Sequence, residues 1–261
     1  MALRRKNLAE EILGVCRHRS SLVWAKKLGA ITKGYSDIKD AVRDSDLIIL
    51  ATPVNEIIEI IPRIYPFIKK GAIVTDVGST KVEIVKQGER VFSKDIYFVG
   101  AHPLTGSEKR GIKEAKENIF RNNFCIITST PHTNKMALEK VCSLWKLLGA
   151  KIKVMTPSVH DCLMAKISHL PHAVAVALIL SIEDKNIPLG AGGLRDTTRI
   201  ASSSPYLWRD IFFTNQKLVL KTIEKFNRVL NDFSSALYLR DKSALFNLLK
   251  RAQKKRALLK G

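Results

Sequence analysis

Three polar motifs stand directly behind apolar runs, where the carboxyl ends of parallel strands would leave them. Thr52-Pro53 follows DLIILA, Asp76-Val77-Gly78-Ser79-Thr80-Lys81 follows AIVT, and Ala101-His102-Pro103-Leu104-Thr105-Gly106-Ser107-Glu108 follows YFVG. Ligands of open parallel sheets bind in the crevice at those ends. His102 has the side chain best suited to moving a proton near neutral pH. Gly78 permits close backbone approach, and Ser79 lies near the next helix's N-terminus. Downstream, Ser168-His169-Leu170-Pro171-His172 places two histidines on one helix face, and Pro171 frees a carbonyl in that helix. Together with His160 they offer imidazoles, but no carboxylate lies at matching spacing, so no metal is expected. Arg195-Asp196-Thr197-Thr198-Arg199 and Trp208-Arg209-Asp210 each read, taken alone, as solvated charge or a structural ion pair.

Positioning these groups requires a sheet. Ile12–Cys16, Asp46–Ala51, Ala72–Val77, Ile96–Gly100, Phe124–Thr128 and Lys151–Met155 are strand candidates. Helical patterns over Ser20–Leu28, Val54–Ile64, Lys81–Val91 and Asn134–Leu148 separate them. Such alternation implies βαβ crossovers and a parallel sheet. After Thr156-Pro157 helical periodicity takes over across His160–Ile182, Tyr206–Tyr238 and Lys242–Leu259, broken by a glycine-rich loop over Pro188–Arg195. The expected architecture is an α/β Rossmann-like domain over residues 1–156 and an all-helical domain over 157–261. Apolar stripes on helices this long want a partner, so a homodimer through the second domain is expected.

Composition agrees with a soluble globular protein and excludes extensive disorder: 261 residues, 46% hydrophobic and 26% charged. The four cysteines are scattered without a Cys-x-x-Cys pair and read as reduced, mostly buried thiols. The longest apolar run, around Ala173–Leu180, falls short of the ~20 residues of a membrane span. Residues 1–15 carry no signal-peptide core, and a cytoplasmic location is expected. A formal charge of +20 favours anionic ligands. The basic residues lack aromatic interleaving and no helix-turn-helix or zinc-finger pattern stands out, so a nucleic-acid partner is not expected.

In order and at these separations, GAIVTDVGSTK, FVGAHPLTGSEKRG, SHLPHAVAVAL and GGLRDTTRIASSSPYLWRDI resemble the prephenate and arogenate dehydrogenases of tyrosine biosynthesis, from Ile12 to about Leu249. The resemblance implies oxidation of a cyclohexadienol, with hydride passing to NAD(P) and carbon dioxide leaving as the ring aromatises. It implies that His102 takes the ring hydroxyl's proton and that Ser79 orients hydroxyl, histidine and nicotinamide. Arg199 matches the arginine that clamps a substrate carboxylate, and His172 a substrate-contacting histidine, while His169 is structural. Glu108 and Asp196 match acids at the pocket entrance, Trp208 a lining aromatic, and Ser107 a neighbouring substrate contact. Where the family often has glycine before the catalytic histidine, this chain has Ala101.

Two departures bear on the cofactor. No Gly-x-Gly-x-x-Gly turn occurs in the sequence, whose opening MALRRKNLAEEILGV reads as the tail of a first helix entering a second strand. An opening strand and glycine loop are expected to be encoded upstream of Met1; a non-catalytic homologue that keeps the pocket is the competing reading. Where NAD enzymes place an acid for the ribose hydroxyls, this chain has Cys16, then Arg17, His18, Arg19 and Ser20. Arg17, Arg19 and Ser20 therefore favour NADP, with NAD possible. Thr52, Pro53, Gly78 and Ser79 complete the expected cofactor contacts.

Overall fold

A computed structural model describes residues 1–92, 95–105 and 111–259. Ser107 and Glu108, expected in the substrate pocket, lie outside these described residues.

A short helix α1 (Ala2–Arg5) leads into β1 (Leu13–Val15), α2 (Arg19–Lys27), β2 (Lys33–Tyr35) and α3 (Ile38–Val42). Then follow β3 (Leu47–Leu50), α4 (Val54–Ile64), β4 (Ile73–Asp76), α5 (Val82–Val91), β5 (Tyr97–Pro103), β6 (Phe124–Thr128), α6 (Lys135–Leu147) and β7 (Lys151–Met155). Strands β1 and β2 pair in parallel, and β3-β4-β5-β6-β7 form a second sheet in sequence order. β2 and α3 were not foreseen: Lys33-Gly34-Tyr35 is too short and polar to register as a strand, and α3 has only five residues, capped by Asp37 on the Lys39 N–H.

The sheet is not wholly parallel. β5 and β6 run antiparallel, with His102 opposite Ile126. A parallel pairing needs a crossover element, usually a helix. The described part of the connection carries only a 3-10 turn at Ile112–Glu114.

Residues of β4 alternate between two cores. Val74 faces a layer built from Val54, Ile57, Ile61 and Ile64 of α4 and Ile84 of α5. Ile73 faces Ala137, Val141 and Trp145 of α6, with Val99, Cys125 and Ile127. The four α4 side chains recur at helical spacing and are nearly inaccessible; burying each contributes roughly 1.5–3 kcal/mol. Pro62 cannot donate to the Ile58 carbonyl, and Gln87 Nε2 of α5 takes that acceptor at 3.3 Å. Of the cysteines only Cys125 is buried; Cys16, Cys142 and Cys162 are half-buried, contrary to the expectation.

Strand structure ends at Thr156, whose hydroxyl caps the next helix. α7 (Pro157–Met164), a π-helical turn (Ala165–His169) and α8 (Leu170–Leu180) form one continuous helix. By length and hydropathy this 24-residue helix could cross a bilayer, although its continuous apolar run is short. It carries buried His160, Asp161, His169 and His172, which serve the site described below. The π turn ends two residues before Pro171, which removes one helical N–H. The expected glycine loop is largely ordered: a 3-10 turn (Asp184–Leu189) precedes α9 (Gly192–Thr198) and a 3-10 turn over Arg199–Ser202. The last expected run is broken at Asn215 into α10 (Pro205–Thr214) and α11 (Gln216–Tyr238), followed by α12 (Lys242–Arg256). Compactness divides the chain at Asn215, so that α7–α10 belong to one unit with the sheet and α11–α12 form another.

Gly100 on β5 is bare for packing reasons. A Cβ there would stand 2.9 Å from Val85 Cγ2, and nearer still to Thr128 Oγ1. Gly100→Ala is expected to destabilise the protein by about 1–3 kcal/mol, read as a lower urea midpoint.

Candidate active site

His102 is the penultimate residue of β5, and the polar residues around it form a continuous chain of contacts. Its Nδ1 lies 2.8 Å from His160 Nε2, and His160 Nδ1 lies 2.7 Å from Asp161 Oδ1. Asp161 is 1% exposed. Its carboxylate also accepts the backbone N–H groups of Lys81 (2.7 Å) and Val82 (3.0 Å), so α7 supplies the anion that caps α5.

These contacts assign the proton positions. A carboxylate that already accepts two N–H groups must accept a third from His160 Nδ1. His160 Nε2 is then an acceptor, so His102 Nδ1 carries the proton it donates. The lone pair of His102 is left on Nε2. The ring is thereby prepared as a base, its tautomer fixed from behind by two residues.

The chain continues away from His102. Asn215 Nδ2 donates to the Asp161 carbonyl at 2.8 Å and to His169 Nδ1 at 3.2 Å. The His169 ring meets Trp208 edge-on at 6.0 Å, and His172 stacks flat on Trp208 at 3.5 Å and 7°. His172 Nδ1 is buried with no partner among the described residues, a polar atom that suits a bound ligand. Arg199 and Asp196 are exposed, on the 3-10 turn and α9 that pack against α8. Thr80 Oγ1 lies 2.9 Å from Thr214 Oγ1, tying the turn after Ser79 to α10.

The cofactor candidates lie at neighbouring strand ends. Thr52 and Pro53 follow β3, and Thr52 Oγ1 is buried without a partner among the described residues. An orphaned hydroxyl at a strand end and helix start fits a dinucleotide. Arg17 follows β1 and reaches Glu56, in the first turn of α4, at 3.5 Å. Both partners are largely exposed, so that pair contributes at most about 1 kcal/mol. Arg19 and Ser20 open α2 and are exposed. Gly78 has a second reason to be bare: a Cβ would come within 2.5 Å of Ile84 Cδ1. Ser79 is partly exposed on the turn between β4 and α5.

Sequence reasoning missed Asp161 and Asn215 and considered His160 only as a metal ligand. The available signal was a His-Asp pair in a largely apolar helical run and an asparagine behind the apolar Ile211-Phe212-Phe213, where unpaired polar groups are costly. Among the described residues no group of three metal-ligating side chains converges.

Burial lowers the pKa of all four site histidines: His169 and His172 to about 4, His102 well below its ordinary value, and His160 against the opposing pull of Asp161. Each is neutral in the folded protein and binds a proton on unfolding once the pH falls below about 6.5. Stability is therefore full above that pH and declines toward pH 4, by roughly 3 kcal/mol each for His169 and His172. Urea unfolding measured between pH 7 and 4 should show this decline, and His172→Phe should flatten it.

Comparison with known proteins fits this geometry. The family model for the prephenate dehydrogenase nucleotide-binding domain matches residues 1–154, and that for the prephenate dehydrogenase dimerization domain matches residues 156–251. Prephenate dehydrogenase of Bacillus subtilis is 34% identical over 260 residues, spanning 97% of this chain and 70% of that protein. The crystal structure of prephenate dehydrogenase from A. aeolicus, in complex with hydroxyphenyl propionate and NAD+, is 33% identical with a TM-score of 0.89, covering 99% of this chain and 92% of that one. Synechocystis arogenate dehydrogenase is 29% identical with a TM-score of 0.82, covering 98% and 94%. The chain belongs to the prephenate dehydrogenase family.

Proposed function

We propose that the protein catalyses the nicotinamide-dependent oxidative decarboxylation of prephenate to 4-hydroxyphenylpyruvate, or of arogenate to tyrosine. The observation that carries this reading is the Asp161–His160–His102 chain, which ends in a neutral imidazole with its Nε2 lone pair free for a hydroxyl. The nicotinamide ring, when bound, accepts the hydride from the substrate carbon bearing that hydroxyl.

The chain's residues handle the proton and the charges. His102 Nε2 accepts the hydroxyl's hydrogen bond and holds its proton while positive charge develops on the ring. His160 and Asp161 stabilise that charge through the Nδ1–H bond without leaving their positions. As the carboxylate departs, its bonding electrons make the ring aromatic, and His102 returns the proton to the phenolic oxygen. Ser79 orients the same hydroxyl. Arg199 clamps a carboxylate, a bidentate task suited to guanidinium. His172, neutral at pH 7, contacts substrate as a hydrogen-bonding group rather than a cation, and Trp208 holds it by stacking. Asp196, Ser107 and Glu108 take the entrance and contact positions implied by the family motif.

Thr52, Pro53, Gly78 and Ser79 serve the nicotinamide half of the cofactor, and Arg17, Arg19 and Ser20 the adenosine half. With Cys16 in place of an acid, nothing at that position repels a 2′-phosphate, so NADP is preferred over NAD. Residues 1–156 act as the nucleotide-binding domain and residues 157–261 as the substrate and dimerisation domain. Exposed Leu230, Phe233, Leu237 and Phe246 on α11 and α12 supply an apolar face for a homodimer. The enzyme is soluble and works in the cytoplasm.

Assays pairing each substrate with each cofactor test the reading; turnover of neither substrate with either cofactor would refute it. His102→Asn is expected to lower kcat by roughly 10²–10⁴. Arg199→Ala should act on KM, raising it about 10- to 100-fold, the equivalent of one charged hydrogen bond.

A further inference from the structure

Between β4 and β5 the ladder stops early. Paired residues run from Ile73–Tyr97 to Thr75–Val99, and Ala101 lies beyond the last pair. The backbone groups of Ala101 are nevertheless satisfied on that side, by side chains. Asp76 Oδ1 accepts the Ala101 N–H at 3.1 Å, and Lys81 Nζ donates to the Ala101 carbonyl at 3.0 Å. Asp76 Oδ2 accepts from both Lys81 Nζ and the Gly78 N–H. Both charged side chains are 0% exposed. A lysine is almost never so buried unless paired, and a buried pair is weak evidence of stability for its own sake.

The ion pair thus occupies the gap where two parallel strands diverge. One of its arms holds the residue preceding His102, and the other holds the turn that carries Ser79. The Lys81 backbone N–H, through Asp161, also joins the chain behind His160.

We propose that Lys81 is a positioning residue for the oxidation: its buried ammonium, sustained by Asp76, fixes His102 relative to the Ser79 turn and sets a positive charge against the strand that carries the imidazole. This rests on the function proposed above only for its kinetic consequence. Burial opposes protonation of His102 and that charge adds to it, so the base stays unprotonated in the resting protein and ready to return the proton it takes. His160 and His169 are uncharged by burial, and the Cys125 thiol on β6 is pushed up to about 12 by burial. Asp161, through His160, and Asp76, as the counter-ion of Lys81, pull the other way and reduce the effect of the ammonium.

The test is an NMR titration of the His102 ring, assigned by its loss in His102→Asn, in the parent protein, Lys81→Met and Asp76→Asn/Lys81→Met. The double variant removes both charges and guards against misfolding around a lone buried carboxylate. In the parent, the His102 ring should titrate well below the ordinary 6.5 of a histidine. In folded Lys81→Met its titration should move up by about one pH unit, the scale of one nearby charge, and in the double variant, which loses the counter-ion as well, by less. The acid limb of kcat/KM should move with it, and kcat should fall at least tenfold with KM for substrate within about threefold. A parent ring that titrates near 6.5 overturns the proposal without reference to any variant. So does an unmoved His102 titration in a folded variant, which would make the lysine a structural brace only. If the parent oxidises neither substrate, the functional reading falls, while the ring titration still decides this one.

Discussion

Asp161 is the group on which the site's geometry turns. Its carboxylate is nearly inaccessible, and such an anion is tolerated only where hydrogen bonds replace water. It receives two backbone N–H groups from the start of α5 and a ring N–H from His160. The positive end of the α5 dipole adds to these charge-assisted bonds. Each bond has a structural consequence. Two fix α5 against α7, and the third orders two imidazole tautomers in succession, ending at His102.

The sheet supplies the rigid frame for this arrangement. Ile73 and Val74 on β4 bury opposite faces against separate apolar layers, so the strand cannot shift without opening one of them. Rigid strands that splay at their carboxyl ends leave a polar gap, and the chain fills it with Asp76, Lys81 and the bare Gly100 rather than closing it. The same divergence leaves Thr52 and Ser79 at adjacent strand ends.

Much of this was legible in the sequence, for physical reasons. Continuous apolar runs such as DLIILA and FCIIT announce strands buried on both faces, and the α4 periodicity announces its core face. His102 stood out because a histidine behind such a strand is placed where ligands bind. The rest depended on contacts between residues distant in sequence. Lys33–Tyr35 is a strand only because β1 pairs with it. The antiparallel entry of β6 depends on a connection without a helical signature. Asp161 drew no reading at all, since nothing local reveals that it faces the N-terminus of α5, some eighty positions earlier. Lys81 entered only as the first residue of a helical pattern, for the same reason.

The π turn at Ala165–His169 sets the angular phase of the second half of the site. On an unbroken α-helix each residue advances by roughly 100°, so His172 would sit about 120° around the axis from His160. A π turn absorbs one residue, which reduces that angle to about 20° and aligns His169 to within about 20° of Asp161. Asn215 can therefore bridge the Asp161 carbonyl and the His169 ring with one amide group. The one-residue spacing error that Pro171 helps to lodge in the helix works as a rotation. It turns two histidines that would otherwise point elsewhere onto the face that already carries the His160–Asp161 pair.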